Sequence, residues 1–67
     1  MKFNRIKAVL KEKQRPNKWL AKKLNKSQVT ISRWCSNVQQ PSLEDLYKAA
    51  EALKVDVSEL LESNTEK

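Results

Sequence analysis

The chain has 67 residues and a formal net charge of +6, with one cysteine and neither histidine nor glycine. A chain of this length forms one domain at most and buries only about 60% of the surface that it exposes when unfolded. This composition excludes an internal disulfide and a conventional zinc site, and no apolar run approaches the roughly 20 residues of a membrane span.

The pattern predicts an all-α fold of five helices without a strand. The first helix runs from about Arg5 to Lys13, with Asn4 as its N-cap. Its buried side is formed by Ile6, Val9 and Leu10. Because the residue before a proline is pushed out of the α region, Arg15-Pro16 ends this segment.

The second and third helices are separated by only three residues. The second covers roughly Asn17 to Leu24, and its apolar stripe consists of Leu20, Ala21 and Leu24. Ser27 is placed to cap the third helix, roughly Gln28 to Cys35, by accepting a hydrogen bond from the amide of Thr30. Residues 17–36 therefore read as a helix-turn-helix, whose second helix can enter the major groove of DNA.

Two capping boxes predict the remaining helices. Ser42 with Asp45 opens the fourth, whose apolar face is Leu43, Leu46, Ala49, Ala50 and Leu53. Asp56 with Glu59 opens a brief fifth helix that carries Leu60 and Leu61. We expect the domain to span residues 1–61, followed by a polar tail, 62–67.

Asparagines stand where helices usually end in glycine. Asn25 and Asn37 follow the second and third helices, and asparagine is the residue that best replaces glycine in the left-handed conformation. Both are therefore expected to adopt a positive φ.

Charge is segregated along the chain. Residues 1–40 hold eleven Lys and Arg against Glu12 alone, whereas residues 41–67 hold three Lys against seven acids. A domain with so lopsided a field attracts a polyanion on one face, and the basic half is the half that carries the helix-turn-helix. The face of the third helix opposite Ile31 and Trp34 adds Gln28, Ser32 and Arg33, side chains suited to base edges.

Taken together, these segments resemble the lambda-repressor-like helix-turn-helix family, also called the XRE or Cro/C1 type. The resemblance covers about residues 4–61 and rests on five pieces in this order: Arg5-Ile6-Lys7, Leu20-Ala21-Lys22-Lys23-Leu24, Ser27-Gln28-Val29-Thr30-Ile31-Ser32-Arg33-Trp34, Pro41-Ser42-Leu43-Glu44-Asp45-Leu46 and Ala50-Glu51-Ala52-Leu53-Lys54-Val55. It implies a compact five-helix bundle whose third helix reads the major groove.

The resemblance also implies roles for individual residues. The base-contacting side chains would be Gln28, Val29, Thr30, Ser32 and Arg33. Gln28 leads this set, since its amide can pair bidentately with adenine. The residues at the DNA backbone would be Asn17, Lys26, Ser27, Ser36, Asn37 and Gln39.

The chain departs from the family pattern at three places. Pro16 stands where the second helix usually has a hydroxyl cap, so either Asn17 caps instead or the proline is the first helical residue. Leu10 and Cys35 replace a buried Arg–Glu pair, an exchange that can be neutral or stabilising, and this places Cys35 in the core. Trp19 replaces a charged residue; core packing is favoured, with exposure near a partner or the DNA backbone as the alternative.

The favoured function is that of a cytoplasmic bacterial or phage-encoded transcriptional regulator, most simply a repressor. It would bind a palindromic double-stranded operator as a homodimer. The candidate dimer surfaces are the apolar residues of helix five and the Val38 loop, with a place in the core as the equal alternative for Leu60 and Leu61. The alternatives are an antitoxin-like or adaptor module whose acidic C-terminal half engages a protein, and a restriction–modification control protein. Enzymatic activity is not expected, since the chain has no histidine, no glycine-rich phosphate loop and no plausible base beside Cys35 or a serine, and neither a cofactor nor a metal is expected. Binding of the basic first helix to a membrane surface is a weaker alternative, because that helix lacks a broad apolar face once Ile6, Val9 and Leu10 are packed inward.

Overall fold

Five helical segments surround one core in the computed structural model, which describes residues 3–62. They are α1 (Ile6–Glu12), α2 (Asn17–Leu24), α3 (Gln28–Cys35), α4 (Leu43–Leu53) and a 3₁₀ helix (Val57–Leu60). The all-α architecture is confirmed for this part of the chain. The count of five α-helices is not, because the last segment is a single 3₁₀ turn.

The core takes at least one side chain from every helix. Its fully buried members with the largest side chains are Trp34, Ile6, Leu20, Ile31, Leu60 and Val9. Ala21, 3% exposed, lies on the buried side of α2, where a small side chain allows α2 and α3 to pack closely. The apolar stripes of α1, α2 and α3 are thus buried as their spacing predicts.

Two apolar side chains are exposed against expectation. Leu43 is 70% exposed because it is the first residue of α4, where the helix has only begun to cover the core. Leu61 is 44% exposed because the chain is extended there, with φ −109° and ψ 142°, instead of continuing a helix.

Two of the predicted N-terminal capping interactions are present in the structure, and a third is absent. The Ser27 hydroxyl accepts from the Thr30 amide at 3.1 Å, and the Ser42 hydroxyl accepts from the Asp45 amide at 3.1 Å. Asp56 precedes the 3₁₀ helix but makes no side-chain capping bond, so the second capping box is wrong. A 3₁₀ segment closes its ring with the backbone alone, here from the amide of Glu59 to the carbonyl of Asp56 at 2.9 Å.

The start of α2 differs from both expectations. Pro16 is the N-cap, with extended backbone (φ −79°, ψ 163°), and Asn17 is the first helical residue. A proline side chain cannot accept a hydrogen bond, so no side chain caps this end. The Trp19 amide donates to the Pro16 carbonyl at 3.0 Å, and the amides of Asn17 and Lys18, which have no partner within residues 3–62, remain available to an external acceptor.

The left-handed conformations lie at helix ends. Asn25 and Asn37 have φ 58° and φ 61°, as predicted, and Lys54 ends α4 in the same conformation with φ 59°. Gln14 shares it at φ 57°, in the turn after α1. At these four positions a residue other than glycine adopts the left-handed conformation, although its Cβ atom makes positive φ sterically unfavourable.

The two ends of the described chain are joined. Asn4 and Leu61 form an isolated antiparallel bridge, in which the Arg5 amide donates to the Leu60 carbonyl at 2.8 Å and the Glu62 amide to the Phe3 carbonyl at 3.0 Å. This bridge pairs one residue from each end and does not form a strand, so the expected absence of strands is confirmed for residues 3–62. Of the predicted tail, residues 63–67 lie outside the described residues.

The tryptophans occupy different environments. Trp34 is 1% exposed and its indole N–H has no hydrogen-bond partner, whereas Trp19 is half-buried and packs against the core. The expectation of core or semi-core packing for Trp19 is confirmed. Within residues 3–62, no helix has the length and apolar character needed to cross a membrane.

Candidate nucleic-acid interface

The exposed side of α3 forms one open concavity with the start of α2. Ile31 and Trp34 hold α3 in the core with exposures of 0% and 1%. The concavity is lined by Asn17, Gln28, Val29, Ser32 and Arg33. The structure thus brings together four of the five residues predicted to contact bases.

These α3 side chains are free to meet a ligand. Gln28, Ser32 and Arg33 are exposed, and none of their side chains has a hydrogen bond or ion pair within the described residues. Val29 is 59% exposed, a large apolar side chain presented to solvent in the middle of polar neighbours. Base edges in the major groove present hydrogen-bond donors, acceptors and the thymine methyl group. The free amide, hydroxyl and guanidinium groups and the methyl groups of Val29 are complementary to them.

Thr30 is set apart from this group. Its side chain is half-buried, and its hydroxyl lies 3.0 Å from that of Ser27. Both hydroxyls therefore belong to the N-terminal cap of α3. This arrangement supports Val29, rather than Thr30, as the source of a methyl contact.

The side chain of Asn17 is held in place by a hydrogen bond from Cys35. The Cys35 thiol donates to Asn17 Oδ1 at 3.5 Å, which leaves the side-chain NH₂ of Asn17 without a partner in the described chain. This NH₂ and the uncapped amides of α2 form a group of donors beside α3.

Cys35 itself is a half-buried packing residue. Burial raises the pKa of its thiol, and the nearby Lys7 ammonium offsets part of that rise. Leu10 is 3% exposed and belongs to the core, whereas Cys35 is only half-buried and packs against the core from outside, so the expectation of a core position is met for Leu10 and only in part for Cys35. A protonated, half-buried thiol is a poor nucleophile.

Lys7 is a functional candidate that sequence reasoning missed. Together with Asn17, Ser32, Cys35 and Ser36 it lines a second, smaller concavity next to the first. Its exposed ammonium brings a positive charge from α1 to the surface of α3. The sequence offers no signal for this role, because the place of Lys7 beside α3 depends on how α1 packs on α3.

Lys26 and Ser36, both predicted to contact the DNA backbone, also have partners within the protein. Lys26 Nζ lies 3.3 Å from a carboxylate oxygen of Asp45. The Ser36 hydroxyl donates to the carbonyls of Ser32 and Arg33, at 3.2 and 3.3 Å, and so satisfies the C-terminal end of α3. Of the two, Lys26 keeps the larger capacity for an additional anion, since its ammonium has three donors.

Asn37 is the most strongly engaged of the predicted site residues. Its Oδ1 accepts from the amides of Phe3 and Asn4 and from Gln40 Nε2, at 2.8, 3.0 and 3.1 Å. Its Nδ2 donates to the Asn4 carbonyl at 3.2 Å. The Asn37 amide therefore ties the end of α3 to the N-terminal segment, and Gln39 remains the exposed polar residue of this loop.

Asn4 completes the network from the other side. It is the buried polar residue of the described chain, at 3% exposure, and its Nδ2 donates to the Trp34 carbonyl at 3.0 Å and to Gln40 Oε1 at 2.7 Å. Its Oδ1 accepts from the Ile6 amide at 3.1 Å, the bond expected of a cap, although Arg5 occupies the N-cap position. The orientation of α3 is thus fixed at both ends, by Ser27 and by this network.

The described residues contain no group of three or more acidic, cysteine or histidine side chains arranged for a metal ion. The geometry, two short helices joined by the left-handed Asn25 with the second helix exposing a polar face, defines a helix-turn-helix protein. The family model described as helix-turn-helix matches residues 6–60, and the chain belongs to that family. The resemblance to lambda-repressor-like proteins is thereby confirmed.

Two solved structures are similar over nearly the whole chain. One is a crystal structure described as that of a candidate DNA-binding protein from Bacteroides fragilis, 60% identical, with a TM-score of 0.89 over 92% of this chain and 100% of that one. Another is the N-terminal DNA binding domain of SinR from Bacillus subtilis, 35% identical, with a TM-score of 0.75 over 92% of this chain and 91% of that one. Among curated proteins, none matches the chain.

Proposed function

We propose that the protein is a sequence-specific double-stranded DNA-binding transcriptional regulator that inserts α3 into the major groove. The observation that carries this proposal is that Gln28, Val29, Ser32 and Arg33 are exposed together on α3 and that their polar side chains have no partner in the described chain. The opposite side of α3 is fixed in the core by Ile31 and Trp34. The family membership and the DNA-binding descriptions of both similar structures support it. The function requires no catalytic step, metal or cofactor.

Gln28 is proposed as the leading base reader. It is the first residue of α3, the end that enters the groove in this class of protein, and its side-chain amide is free. A bidentate amide–adenine pair discriminates against other bases by about 1–3 kcal/mol. Val29 would add a methyl contact to thymine, and Arg33, one turn further along α3, would reach a guanine or a phosphate.

The DNA backbone would be held by donors on both sides of α3. Lys7, the side-chain NH₂ of Asn17 and the free amides of α2 lie on one side. Lys26 precedes the N-terminal end of α3 and Gln39 follows its C-terminal end, and Ser27 and Ser36 would contribute through their neighbouring amides. Asn37 would act indirectly, by fixing the loop that carries Gln39.

We further propose binding as a homodimer to a palindrome. A single module of this size buries only about 600–1,000 Å² on DNA, so two copies on half-sites about 34–36 Å apart would give adequate affinity. Leu60 is fully buried and is not available for the dimer. The remaining candidates for the dimer interface are three exposed apolar side chains. Phe3 and Leu61, at 55% and 44% exposure, lie at the joined ends of the described chain, and Val38, at 76% exposure, lies in the loop after α3.

Repression would follow from occupancy of the operator by such a dimer in a bacterial or phage-infected cytoplasm. The experiment begins with selection of binding sites from random duplex DNA, in which a palindrome would establish the dimer. Binding to the selected duplex and to a scrambled duplex is then measured by fluorescence anisotropy across a range of salt concentrations.

Two substitutions separate base reading from backbone attraction. Gln28→Ala should cost about 1–3 kcal/mol on the selected duplex and almost nothing on the scrambled one. Lys7→Ala should weaken both alike and reduce the slope of log K against log salt by about 0.9. Lys48→Ala removes the same charge from α4, where Lys48 pairs with Glu44 at 3.3 Å, and is the matched control. Equal losses on both duplexes would remove Gln28 from the base-reading role.

A further inference from the structure

A cluster of cations surrounds Trp19 on a part of the surface that the proposed DNA contact does not use. We name it the Trp19 cluster: Lys13, Arg15, Trp19, Lys23 and Lys54, which line one concavity. The Arg15 guanidinium lies 4.8 Å and the Lys23 ammonium 5.7 Å from the centre of the Trp19 ring. Cations at these distances are attracted to the ring, so the half-buried indole holds two of them in place.

The cluster carries more positive charge than its surroundings neutralise. No acidic side chain lines the concavity, and none of its four cations forms an ion pair with an acid among residues 3–62. The C-terminal ends of α1 and α4 lie here, and each contributes roughly −0.5 charge. About three positive charges therefore remain for a partner.

The cluster faces away from the candidate nucleic-acid interface. Successive residues of an α-helix are rotated by about 100°, so Asn17 and Trp19 point in directions roughly 200° apart on α2. Asn17 lies with α3, whereas Trp19 and Lys23 share their concavity with Ala52 and Leu53 of α4. A duplex bound along α3 therefore leaves the Trp19 cluster free.

A concavity of complementary character lies between α4 and the 3₁₀ helix. We name it the acidic groove: its acidic side chains are Glu44, Glu51 and Asp56, and its apolar side chains are Tyr47, Ala50, Val55 and Val57. Lys48 also lines it and pairs with Glu44 at 3.3 Å. Glu51 and Asp56 have no ion pair within the described chain, and Tyr47 is 57% exposed.

We propose that the Trp19 cluster of one copy docks into the acidic groove of a second copy of this chain. Each surface supplies what the other lacks: an aromatic ring flanked by cations on one, and apolar side chains flanked by unpaired carboxylates on the other. Aromatic and arginine side chains are the ones that most often anchor protein interfaces. Because the two surfaces differ, the contact is head-to-tail and can add further copies in the same direction.

The contact is weak in free solution and becomes effective on DNA. Its ion pairs are exposed to solvent, and each such pair changes an affinity by up to about fivefold. Copies bound at neighbouring sites on one duplex experience an effective concentration in the millimolar range, which favours a weak contact. The cluster therefore provides cooperative loading of copies along DNA, independently of the bases that α3 reads.

The test is exchange of charge between the two surfaces, with self-association of the full chain measured by sedimentation velocity without DNA. At protein concentrations of about 1 mM, which a contact this weak requires, the wild type should associate at 50 mM salt and dissociate at 500 mM. Lys23→Glu and Glu51→Lys should each weaken association by about tenfold, since a reversal replaces one attraction with a repulsion. The double variant should recover affinity to within about threefold of the wild type, because the exchanged charges again attract.

Controls keep net charge and folding separate from the contact. Lys22→Glu changes the same charge on the neighbouring exposed residue of α2, outside the cluster, and should leave association within about twofold. Thermal unfolding checks each variant, and Arg15→Glu with Asp56→Lys repeats the exchange if the first pair fails to fold. Quenching of the tryptophan emission by acrylamide should decrease as protein concentration rises, and this change reports on Trp19 because Trp34, 1% exposed, is already shielded from the quencher.

Three results would overturn the proposal: an equal effect of Lys22→Glu and Lys23→Glu, no recovery in the double variant, or binding of inorganic polyphosphate by the cluster without self-association. Because this assay contains no DNA, its failure is distinct from a failure of the proposed base reading, which Gln28→Ala tests on DNA.

Discussion

Replacing Asn37 with glycine and with alanine separates two contributions of this residue to stability. Its backbone is left-handed at φ 61°, and its side-chain amide takes part in four hydrogen bonds. Glycine keeps the backbone conformation and removes the side-chain bonds. Alanine removes the bonds and also places a Cβ where the left-handed conformation costs about 1–2 kcal/mol.

The loss expected for Asn37→Gly comes from the environment of each bond. The bonds from the Asn4 amide and to the Asn4 carbonyl are partly buried, so each contributes about 1 kcal/mol. The bonds from the Phe3 amide and the Gln40 amide are exposed, and water can replace them, so about 0.5 kcal/mol each is reasonable. We expect a loss of roughly 3 kcal/mol for Asn37→Gly, and roughly 1 kcal/mol more for Asn37→Ala.

Asn25 is the matched control in the same chain. It is left-handed at φ 58° and ψ 44°, and its exposed side chain makes no hydrogen bond within the described residues. Asn25→Gly should therefore lie within about 0.5 kcal/mol of the wild type, while Asn25→Ala should cost about 1 kcal/mol. Urea unfolding followed by circular dichroism at constant pH measures all four variants.

The result that would refute this reasoning is a stable Asn37→Gly variant. If Asn37→Gly unfolds at the same urea concentration as Asn25→Gly while losing affinity for DNA, the Asn37 amide is a phosphate ligand and not a structural tie. Loss of stability with affinity unchanged under folding conditions would instead establish the structural role.

Two further predictions concern titration and capping. Burial raises the pKa of the Cys35 thiol in the folded chain, so the unfolded chain loses this proton first and folding stability should fall as pH rises through 9.0. A Cys35→Ala variant should lack that part of the fall in urea titrations, and alkylation of native Cys35 at pH 8 should be slower than in the unfolded chain; equal alkylation rates would contradict the burial argument. Ser42→Ala should cost about 1 kcal/mol, because the Ser42 hydroxyl caps α4, whereas Asp56→Ala should change stability by less than about 0.5 kcal/mol. Equal losses for these two variants would mean that Asp56 caps the 3₁₀ helix after all.

The local parts of the fold could be predicted from the sequence. The bounds of α2 and α3 follow from an apolar stripe, the Ser27 cap and the asparagine at position 25, all of which act within one or two helical turns. Leu43 was misplaced because helical spacing does not show how the first residue of a helix faces the core. The helix after Asp56 was predicted as α because a capping box does not distinguish an α-helix from a single 3₁₀ turn.

The long-range polar contacts could not be predicted in the same way. The Asn4–Asn37 bonds join residues 33 positions apart, and the pair of Lys26 with Asp45 joins two segments that no periodicity relates. Lys7 escaped notice for the same reason, since its place beside Ser36 depends on how α1 packs on α3. For the candidate site, sequence identifies the residue types on α3, but only the packed structure shows which polar groups are still free.

The bridge between Asn4 and Leu61 makes the described part of the chain a nearly closed ring. With the Glu62 amide 3.0 Å from the Phe3 carbonyl, a short linker could join these positions without moving either. The order of the helices along the polypeptide could then be changed by opening the ring elsewhere, for instance in the exposed turn at Val38. For labelling, the two ends amount to a single attachment point, so probes placed at both would report on one corner of the molecule rather than on its length.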